Sequence, residues 1–357
     1  MPFNLSEVDL GLGREHERTV DLVSHAAFHL DELLPMANGL ARRGLRPRLL
    51  LVEATPGVLK RARSQHRRYQ RSLAHLRGLG YGADTTTWSS DKLGAADALV
   101  VMNDWGPCRE LVDATRAAGG ISFGKIEGAQ DFDDVDTGKD RNAYRVVDVV
   151  FCQGQNDFDG MHGADREIVG NSRLEQLLAG PVRSSASGPA VINSNFSYGQ
   201  LAEHRSMWLR GTYAACSAAG VDCRVSRHPA DLGFIPPWKT TRARIETAIL
   251  TAPALISRFS SVCFEALAQG IPLAYFNPHG EQAPPFTKPQ GAFEVLRSEA
   301  DLGEFLMAAH DLEAEAVRSQ AQPFLGRQID VGNEPAGERA AAVIANRVLG
   351  SSPAVEL

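Results

Sequence analysis

The chain has 357 residues, of which 43% are hydrophobic and 22% charged, and its formal net charge is −6. This length exceeds what one hydrophobic core usually serves, so we expect two domains of ordinary globular composition. The acidic balance does not favour a nucleic-acid-binding protein, and the five cysteines form no CxxC pair that would indicate a zinc knuckle. No apolar run approaches the roughly 20 residues that span a bilayer, and no signal-peptide core is apparent, so we expect a cytoplasmic protein.

The first half alternates short apolar runs with amphipathic stretches. Strands are predicted at 19–24, 48–53, 98–102 and 120–126, and helices at 31–43 and 110–118. Nearly continuous apolar strands that alternate with helices indicate a parallel sheet covered on both faces. Ligands bind such sheets at the carboxyl ends of the strands. The loops at 24–30, 103–107 and 127–136 are therefore the first places to look for a site.

Two histidines, His25 and His29, stand at helical i, i+4 spacing in the first of these loops. A zinc-protease motif would require Glu directly after the first histidine, where this chain has Ala26. His25 is instead a candidate general base, since a neutral imidazole can accept a hydroxyl proton near pH 7. The alternative is a polar loop histidine without a chemical role.

An acidic loop follows the predicted strand that ends at Ile126. Its aspartates begin with Asp131 and lack the residue order of an EF-hand, so no metal site is predicted, although an Asp-x-Asp pair could chelate a divalent ion. Glu127, directly after the strand, is the candidate catalytic carboxylate. In a retaining reaction Asp131 would assist instead.

The stretch Lys60–Arg71 carries six basic residues. A solvated helix face is the simplest interpretation. The functional alternative is a patch for an anionic acceptor, such as a lipid-linked phosphate or an acidic glycan, with peripheral contact to the inner face of a membrane. Nucleic acid is not expected, because Tyr69 is the only aromatic residue within the stretch.

A linker rich in Gly, Pro and Ser at 180–189 separates the two halves, after which strands and helices alternate afresh. We predict an N-terminal domain over 1–180, a second domain over 181–335, and a C-terminal helix and tail over 336–357.

The segment 257–272 (SRFSSVCFEALAQGIP) predicts a strand end, a hydroxyl-rich turn and a short helix. Ser260 and Ser261 would lie at the helix N-terminus, where unpaired N–H groups favour a phosphate, and Glu265 could accept hydrogen bonds from ribose hydroxyls. Arg227 and His228 end an earlier strand and could donate to a diphosphate at the same edge of the sheet. An N-capped core helix with an ordinary loop histidine is the alternative.

Five stretches resemble, in the same order, the GT-B glycosyltransferase superfamily. More narrowly they are similar to bacterial surface-carbohydrate (capsule and lipopolysaccharide) biosynthesis proteins related to CDP-glycerol glycerophosphotransferases and UDP-GlcNAc 2-epimerases. These stretches are 147–157 (VDVVFCQGQND), 168–177 (IVGNSRLEQL), 190–197 (AVINSNFS), 226–231 (SRHPAD) and 260–278 (SSVCFEALAQGIPLAYFNP).

The resemblance implies an α/β, GT-B-like fold: two facing Rossmann-like domains with parallel sheets and an inter-domain cleft for a nucleotide-activated donor. It makes 1–180 the acceptor-side domain and 181–335 the nucleotide-donor domain. His228, Ser260 and Ser261 would bind the donor phosphates, Glu265 the ribose, and Asn195 would line the donor side. The glycerophosphotransferase pattern has His before Gly in the first-domain acidic loop. This chain has Glu127 there, which argues against transfer of glycerol phosphate and moves the resemblance toward the epimerases.

The sequence thus predicts a metal-independent glycosyltransferase without a cofactor, which moves a sugar from a nucleotide-activated donor to a hydroxyl of a glycan or lipid-linked acceptor. Arg227, His228 and the serine-led helix would stabilise the departing phosphate. Two alternatives stay open: a nucleotide-sugar 2-epimerase, and a non-catalytic glycan- or nucleotide-binding partner. The nucleotide base, the sugar, the acceptor and the stereochemical outcome are not determined.

Overall fold

The computed structural model describes residues 4–12, 18–53, 59–82, 85–129, 133–134, 139–140, 144–196, 201–228, 231 and 233–350. The chain folds into two compact units. Unit 1 comprises residues 1–127, 142–175 and 329–357, and unit 2 comprises residues 128–141 and 176–328.

Unit 1 is built on an eight-stranded sheet of order β10-β9-β6-β5-β2-β3-β1-β4. Six neighbouring strands, β10 to β3 in that order, are parallel, while β1 is antiparallel to both of its neighbours. The strands are β1 (Asn4–Val8), β2 (Thr19–Ser24), β3 (Arg46–Glu53), β4 (Thr85–Trp88), β5 (Ala98–Val101), β6 (Ile121–Lys125), β9 (Val149–Cys152) and β10 (Asp165–Ile168). The predicted parallel sheet is confirmed, and the antiparallel edge is an addition that the sequence analysis missed.

Six helices belong to unit 1, and the last of them comes from the far end of the chain. They are α1 (Leu30–Arg42), α2 (Leu59–Gly78), α3 (Pro107–Ala117), α4 (Gln155–Gly160), α5 (Ser172–Ala179), whose last residues lie in unit 2, and α11 (Ala336–Gly350). The apolar stripe of α1, which includes Leu33, Ala37 and Leu40, is buried in the core of this unit, as its helical spacing predicts.

Helix α11 packs closely on α1, although the sequence analysis treated 336–357 as a separate helix and tail. A Cβ placed on Gly39 would lie 2.7 Å from Ala341 Cβ, and one placed on Gly337 would lie 2.5 Å from Pro35 Cβ. Only glycine permits such a close approach of the two backbones at these points. The apolar face of α11, which an isolated helix would leave in water, is thereby buried in unit 1.

Unit 2 contains a fully parallel five-stranded sheet of order β12-β11-β13-β14-β15. Its strands are β11 (Ala190–Ser194), β12 (Cys223–Arg227), β13 (Leu255–Ser257), β14 (Leu273–Phe276) and β15 (Glu294–Leu296). Its helices are α6 (Arg205–Ala218), α7 (Ile245–Ala248), α8 (Val262–Ala268), α9 (Glu299–Ala309) and α10 (Ala314–Gln328). A short antiparallel pair, β7 (Asp133–Asp134) and β8 (Lys139–Asp140), lies in the acidic loop. This second Rossmann-like sheet confirms the predicted α/β class.

Among the described residues, no helix combines the length and the apolar composition that crossing a bilayer requires.

Candidate functional site

The residues of unit 1 that were singled out in the sequence lie at the topological switch point of its sheet. Strand β2 lies between β3 on one side and β5 on the other, and all three are parallel. The chain adds β3 on one side of β2 and later adds β5 on the opposite side, so the switch point lies between the carboxyl ends of β2 and β5. Ligands of open α/β sheets bind in the crevice at such a point. His25 directly follows β2, Asn103 comes soon after β5, and Glu127 comes soon after the neighbouring β6.

The structure brings His25, His29 and Glu127 together at this edge. The Nε2 atom of His29 forms an ion pair with Glu127 Oε2, and the rings of the two histidines meet edge to face with centroids 4.2 Å apart. His29 is fully buried, whereas the Glu127 side chain is 30% exposed. The carboxylate is therefore held by a buried imidazole, and the exposed part of its side chain is accessible to a ligand.

Hydrogen bonds assign the proton positions on the two imidazoles. The backbone N–H of His25 donates to His29 Nδ1 at 3.4 Å, so the proton that His29 directs at Glu127 is on Nε2. The Asn103 amide nitrogen lies 3.1 Å from His25 Nε2, which makes that ring atom the acceptor. His29 thus donates to a carboxylate, and His25 is oriented by an amide.

The pKa directions leave both candidate bases, His25 and Glu127, in their proton-accepting form at neutral pH. Burial, together with the neighbouring His29, lowers the pKa of His25 to about 3, so this imidazole is neutral at pH 7 but holds a proton weakly. Burial alone would raise the pKa of Glu127, yet the charge and hydrogen bond of His29 lower it, and Arg68 of α2 adds to this effect. Glu127 is consequently an ionised acceptor at neutral pH.

His25, His29 and Glu127 are also the residues that could hold a metal ion, since one donor atom from each lies within 4.8 Å of the others. Two imidazoles and a carboxylate suit Zn²⁺ or Fe²⁺. His29 Nε2 faces Glu127 and His25 Nε2 accepts from Asn103, so an ion bound here would have to replace both contacts.

A buried tyrosine ties together the two strand ends that carry the site. Tyr144 has φ 64°, and its hydroxyl lies within hydrogen-bonding distance of the carbonyl oxygens of Met102 (2.5 Å) and Lys125 (2.9 Å). Its backbone N–H donates to Asp104 Oδ1 at 2.7 Å, which stabilises this unfavourable conformation. The ring passes directly over Gly124, where a Cβ would lie 2.4 Å from Tyr144 Cδ1.

Two aromatic rings next to the cluster are exposed. Phe28 is 45% exposed, and its ring meets the His29 ring edge to face at 4.5 Å. Trp105 is 58% exposed, and its backbone N–H donates to Asn103 Oδ1, the side chain that also contacts His25. The Phe28 ring therefore offers an apolar face beside the His29 ring, and Trp105 adds a second exposed ring in the neighbouring loop.

The candidates of unit 2 also meet at a switch point, the carboxyl edge between β11 and β13. Strand β11 leads to β12 on one side and pairs with β13 on the other. Asn195 directly follows β11, and its amide group donates to the carbonyl of Phe259. In the register of the sheet, Ser194 of β11 lies beside Arg227 of β12, and Asn193 lies beside Ser257 of β13. The loops that follow these three strands therefore start at nearly the same level. Two strand spacings separate the Arg227 and Ser257 backbones, about 10 Å.

The remaining phosphate candidates lie where the sequence placed them. Ser260 and Ser261 are half-buried between β13 and α8, and the Ser260 hydroxyl is 3.4 Å from the Val262 N–H. Glu265 lies one turn into α8 and is half-buried, and His228 follows β12 and is half-buried. Asp131 lies outside the described residues.

Arg227 is directed toward its own loop. Its Nε donates to the carbonyl oxygen of Asp231 at 2.7 Å. Asp231 is itself buried and accepts two hydrogen bonds from Arg205, at 2.8 and 3.1 Å. This pair fixes the loop that follows β12 to the first residue of α6.

A buried ion pair that the sequence analysis missed supports this edge. Arg258, directly after β13, donates from Nε to Glu281 Oε2 at 2.7 Å and from Nη1 to the Asn195 carbonyl at 2.6 Å. Glu281 also accepts from the Phe259 N–H, from the Tyr275 hydroxyl and from His279. Burial alone would raise the pKa of this carboxyl, but the His279 hydrogen bond and the Arg258 charge lower it to about 2.

The sequence contained one signal for this pair. Arg258 stands inside an otherwise apolar and hydroxyl-bearing stretch directly after a buried strand, and a charged residue at such a place needs a partner. Nothing in the sequence indicated that the partner would be Glu281, because it follows a different strand, β14. Only the neighbouring positions of β13 and β14 in the sheet bring the two together.

The stretch 60–71 lies on α2, and among its described side chains His66 and Arg67 are exposed while Tyr69 is buried. Arg68 does more than face solvent, because its positive charge lowers the pKa values of His25 and Glu127. Contact of this stretch with an anionic acceptor or a membrane stays a prediction.

No protein-family model and no curated protein sequence matches the chain. Its structure is similar to several solved structures. A protein assigned as a UDP-N-acetylglucosamine 2-epimerase from Listeria monocytogenes has 11% identity and a TM-score of 0.62, over 95% of this chain and 98% of that one. The Methanocaldococcus jannaschii UDP-GlcNAc 2-epimerase, solved with UDP-GlcNAc and UDP, has 12% identity and a TM-score of 0.57, over 91% and 98%.

A variant of the wall teichoic acid polymerase TagF has 9% identity and a TM-score of 0.52, with 94% of this chain and 89% of that one covered. At such identities the similarity shows the fold. The chain has the GT-B fold, as the resemblance in the sequence implied.

Proposed function

We propose that this protein is a nucleotide-sugar enzyme in which unit 2 binds the nucleotide diphosphate and the His29–Glu127 pair of unit 1 moves a proton. The observation that carries the proposal is the ionised, partly exposed Glu127, held by a buried imidazole at the switch point of a GT-B-type sheet. A carboxylate in this setting accepts a proton from a hydroxyl group without needing a metal ion.

The finer proposal is a metal-independent glycosyltransferase. Glu127 deprotonates the acceptor hydroxyl as that oxygen attacks the anomeric carbon, and the bond from that carbon to the nucleotide diphosphate breaks. His29 donates to the carboxylate throughout and keeps it in one rotamer. His25, with its pKa of about 3, orients His29 through its backbone N–H.

On the donor side, His228 and the Ser260–Ser261 turn bind the departing diphosphate, while Glu265 binds the ribose. Asn195 lines the same edge, and Arg227 contributes positive charge. Each hydrogen-bond donor to charge that develops in the transition state is worth about 3 kcal/mol. The Arg258–Glu281 pair supports this side indirectly, because Arg258 fixes the Asn195 carbonyl.

On the acceptor side, the exposed faces of Trp105 and Phe28 offer stacking surfaces for a pyranose ring. The Phe28 ring contacts His29, the residue paired with Glu127, and the Trp105 backbone is held by Asn103, so a sugar stacked on Phe28 would lie near Glu127. A glycan acceptor fits these rings better than a small aliphatic alcohol would.

A nucleotide-sugar 2-epimerase is the second candidate, and the fold favours it, because two of the similar structures described above are assigned as such enzymes. The two reactions differ in a simple way. An epimerase changes the donor sugar when no acceptor is present, whereas a transferase leaves the sugar unchanged or hydrolyses it slowly.

The test begins with thermal shifts for UDP, CDP, GDP, ADP and CMP. A ligand at a hundredfold excess over its Kd stabilises the folded state by about 2.7 kcal/mol, so the correct nucleotide should stand out. His228→Ala should reduce that shift. Equal shifts for every nucleotide, unaffected by this substitution, would contradict the assignment of unit 2.

The preferred nucleotide, joined to common sugars, is then incubated with wild type, Glu127→Gln and the matched control Glu110→Gln, which changes an exposed carboxylate on α3. Glu127→Gln should lower turnover about 10²–10⁴-fold and leave nucleotide binding intact. Inversion at C2 without acceptor would establish the epimerase. Nucleotide binding with no turnover under any condition would leave a non-catalytic binding protein.

A further inference from the structure

Two aromatic side chains of unit 2 extend into solvent four residues apart. Phe234 is 79% exposed and Trp238 is 73% exposed, which makes them the two most exposed of the large hydrophobic side chains in the described part of the chain. Two large apolar rings left in water on one short segment, with basic residues close by in the chain, indicate an interaction site rather than an ordinary surface.

The segment that carries these rings is anchored at several points. Arg205 Nη1 donates to the Phe234 carbonyl at 3.4 Å, and Ile235 between the two rings is buried. The Lys239 ammonium lies 5.5 Å from the centre of the Tyr213 ring, and the Thr241 N–H donates to the Val225 carbonyl of β12 at 2.9 Å. The exposure of the rings is thus imposed by a fixed backbone along α6 and the edge of the sheet.

The charge of the segment is opposite to that of the whole chain. Between Gly233 and Ile245 the sequence contains Lys239, Arg242 and Arg244 and no acidic residue, whereas the chain as a whole carries −6. Arg244 pairs with Glu246 at 3.1 Å, while Arg242 is exposed. A basic strip on an acidic protein attracts an anionic partner.

We propose that Phe234, Trp238, Lys239, Arg242 and Arg244, together called the basic aromatic surface, bind the headgroup layer of an anionic phospholipid membrane. Aromatic rings, and Trp above all, prefer the interface between headgroups and acyl chains. Lysine and arginine are attracted by the negative surface potential of anionic lipids. The combination of both on one anchored segment fits a lipid surface, and it does not rest on the proposed enzymatic function.

The test is co-sedimentation of the full chain with vesicles of phosphatidylcholine alone and of phosphatidylcholine containing 30% phosphatidylglycerol, in low salt. The proteins are wild type, Phe234→Ser/Trp238→Ser, Lys239→Gln/Arg242→Gln, and the control Met307→Ser/Leu312→Ser. This control replaces two apolar side chains elsewhere in unit 2, which are 58% and 44% exposed. Circular dichroism and thermal unfolding establish that each variant is folded.

Wild type and the control should bind the anionic vesicles and detach in 0.5 M salt, since surface electrostatics is screened there. The affinity of the aromatic variant for anionic vesicles should fall at least about tenfold. The affinity of the charge variant should fall roughly 25-fold, since each of the two cations contributes about fivefold. Failure of wild type to bind, or equal binding by the aromatic variant, would overturn the proposal. So would a wild-type dimer that becomes monomeric in the aromatic variant, which would assign the surface to a second copy.

Discussion

Replacement of Glu281 by glutamine tests whether a buried ion pair supports the nucleotide edge of unit 2. The pKa of Glu281 is lowered from 4.5 to about 2, because the His279 hydrogen bond and the Arg258 charge outweigh the effect of burial. A lowering of this size corresponds to about 3 kcal/mol of stability at neutral pH. That stability is present above pH 4.5 and is lost as the pH falls toward 2.

Glu281→Gln keeps the shape of the side chain but leaves Arg258, whose side chain is 3% exposed, without its countercharge. Breaking a buried pair in this way costs about 3–5 kcal/mol. Urea unfolding at pH 7 should show this loss in the free energy of unfolding. At pH 3 the difference between variant and wild type should be about 2 kcal/mol smaller, because Glu281 is then protonated in the unfolded wild type. Nucleotide affinity should also fall, because Arg258 positions the Asn195 carbonyl.

The matched control is Glu304→Gln, which changes an exposed carboxylate on α9 in the same unit and should alter stability by less than about 0.5 kcal/mol. The double variant Arg258→Met/Glu281→Gln should recover part of the loss, since no charge is then buried alone. A cost below about 1 kcal/mol at pH 7, with no dependence on pH, would refute the reasoning.

Three further predictions concern unit 1 and α10. Burial raises the pKa of Asp157 from 3.8 to about 6, so wild type loses stability as the pH rises from 3.8 to 6, where the unfolded chain ionises and the folded one does not; in urea unfolding Asp157→Asn should therefore gain about 2 kcal/mol relative to wild type between pH 4 and pH 7. Gly124→Ala should destabilise unit 1 by about 1–3 kcal/mol, because its Cβ would lie 2.4 Å from Tyr144 Cδ1; an unchanged Tm would contradict that packing. Gly326→Ala, on an exposed helical position with open space around it, should instead stabilise by about 0.5–1 kcal/mol, and any loss of stability there would be unexpected.

Local patterns predicted most of the elements that carry the site. The run TVDLVS predicted β2 with the bounds that the structure has, because its three aliphatic residues suit a strand, and every position after the first is buried. His25 and Glu127 were identified by the same logic, since each directly follows a predicted strand.

Contacts between distant parts of the chain were not predictable in this way. The helical spacing related His29 only to His25, whereas its side chain pairs with Glu127, which follows another strand. Arg258 and Glu281 are likewise separated by a helix and a strand. Single-sequence periodicity reports which face of an element is apolar, and it contains no information about which strands become neighbours.

The sequence by itself determined the α/β class, the alternation of elements in both halves and the loops in which the candidate residues lie, because these follow from local periodicity and turn chemistry. Strand order was decided by tertiary structure. It made Glu127 an ionised partner of a buried His29, gave Arg258 its countercharge, and placed α11 on α1 through Gly39 and Gly337. The physical reason is that desolvation and pairing set the charge state of a side chain, and both depend on neighbours that only the folded sheet supplies.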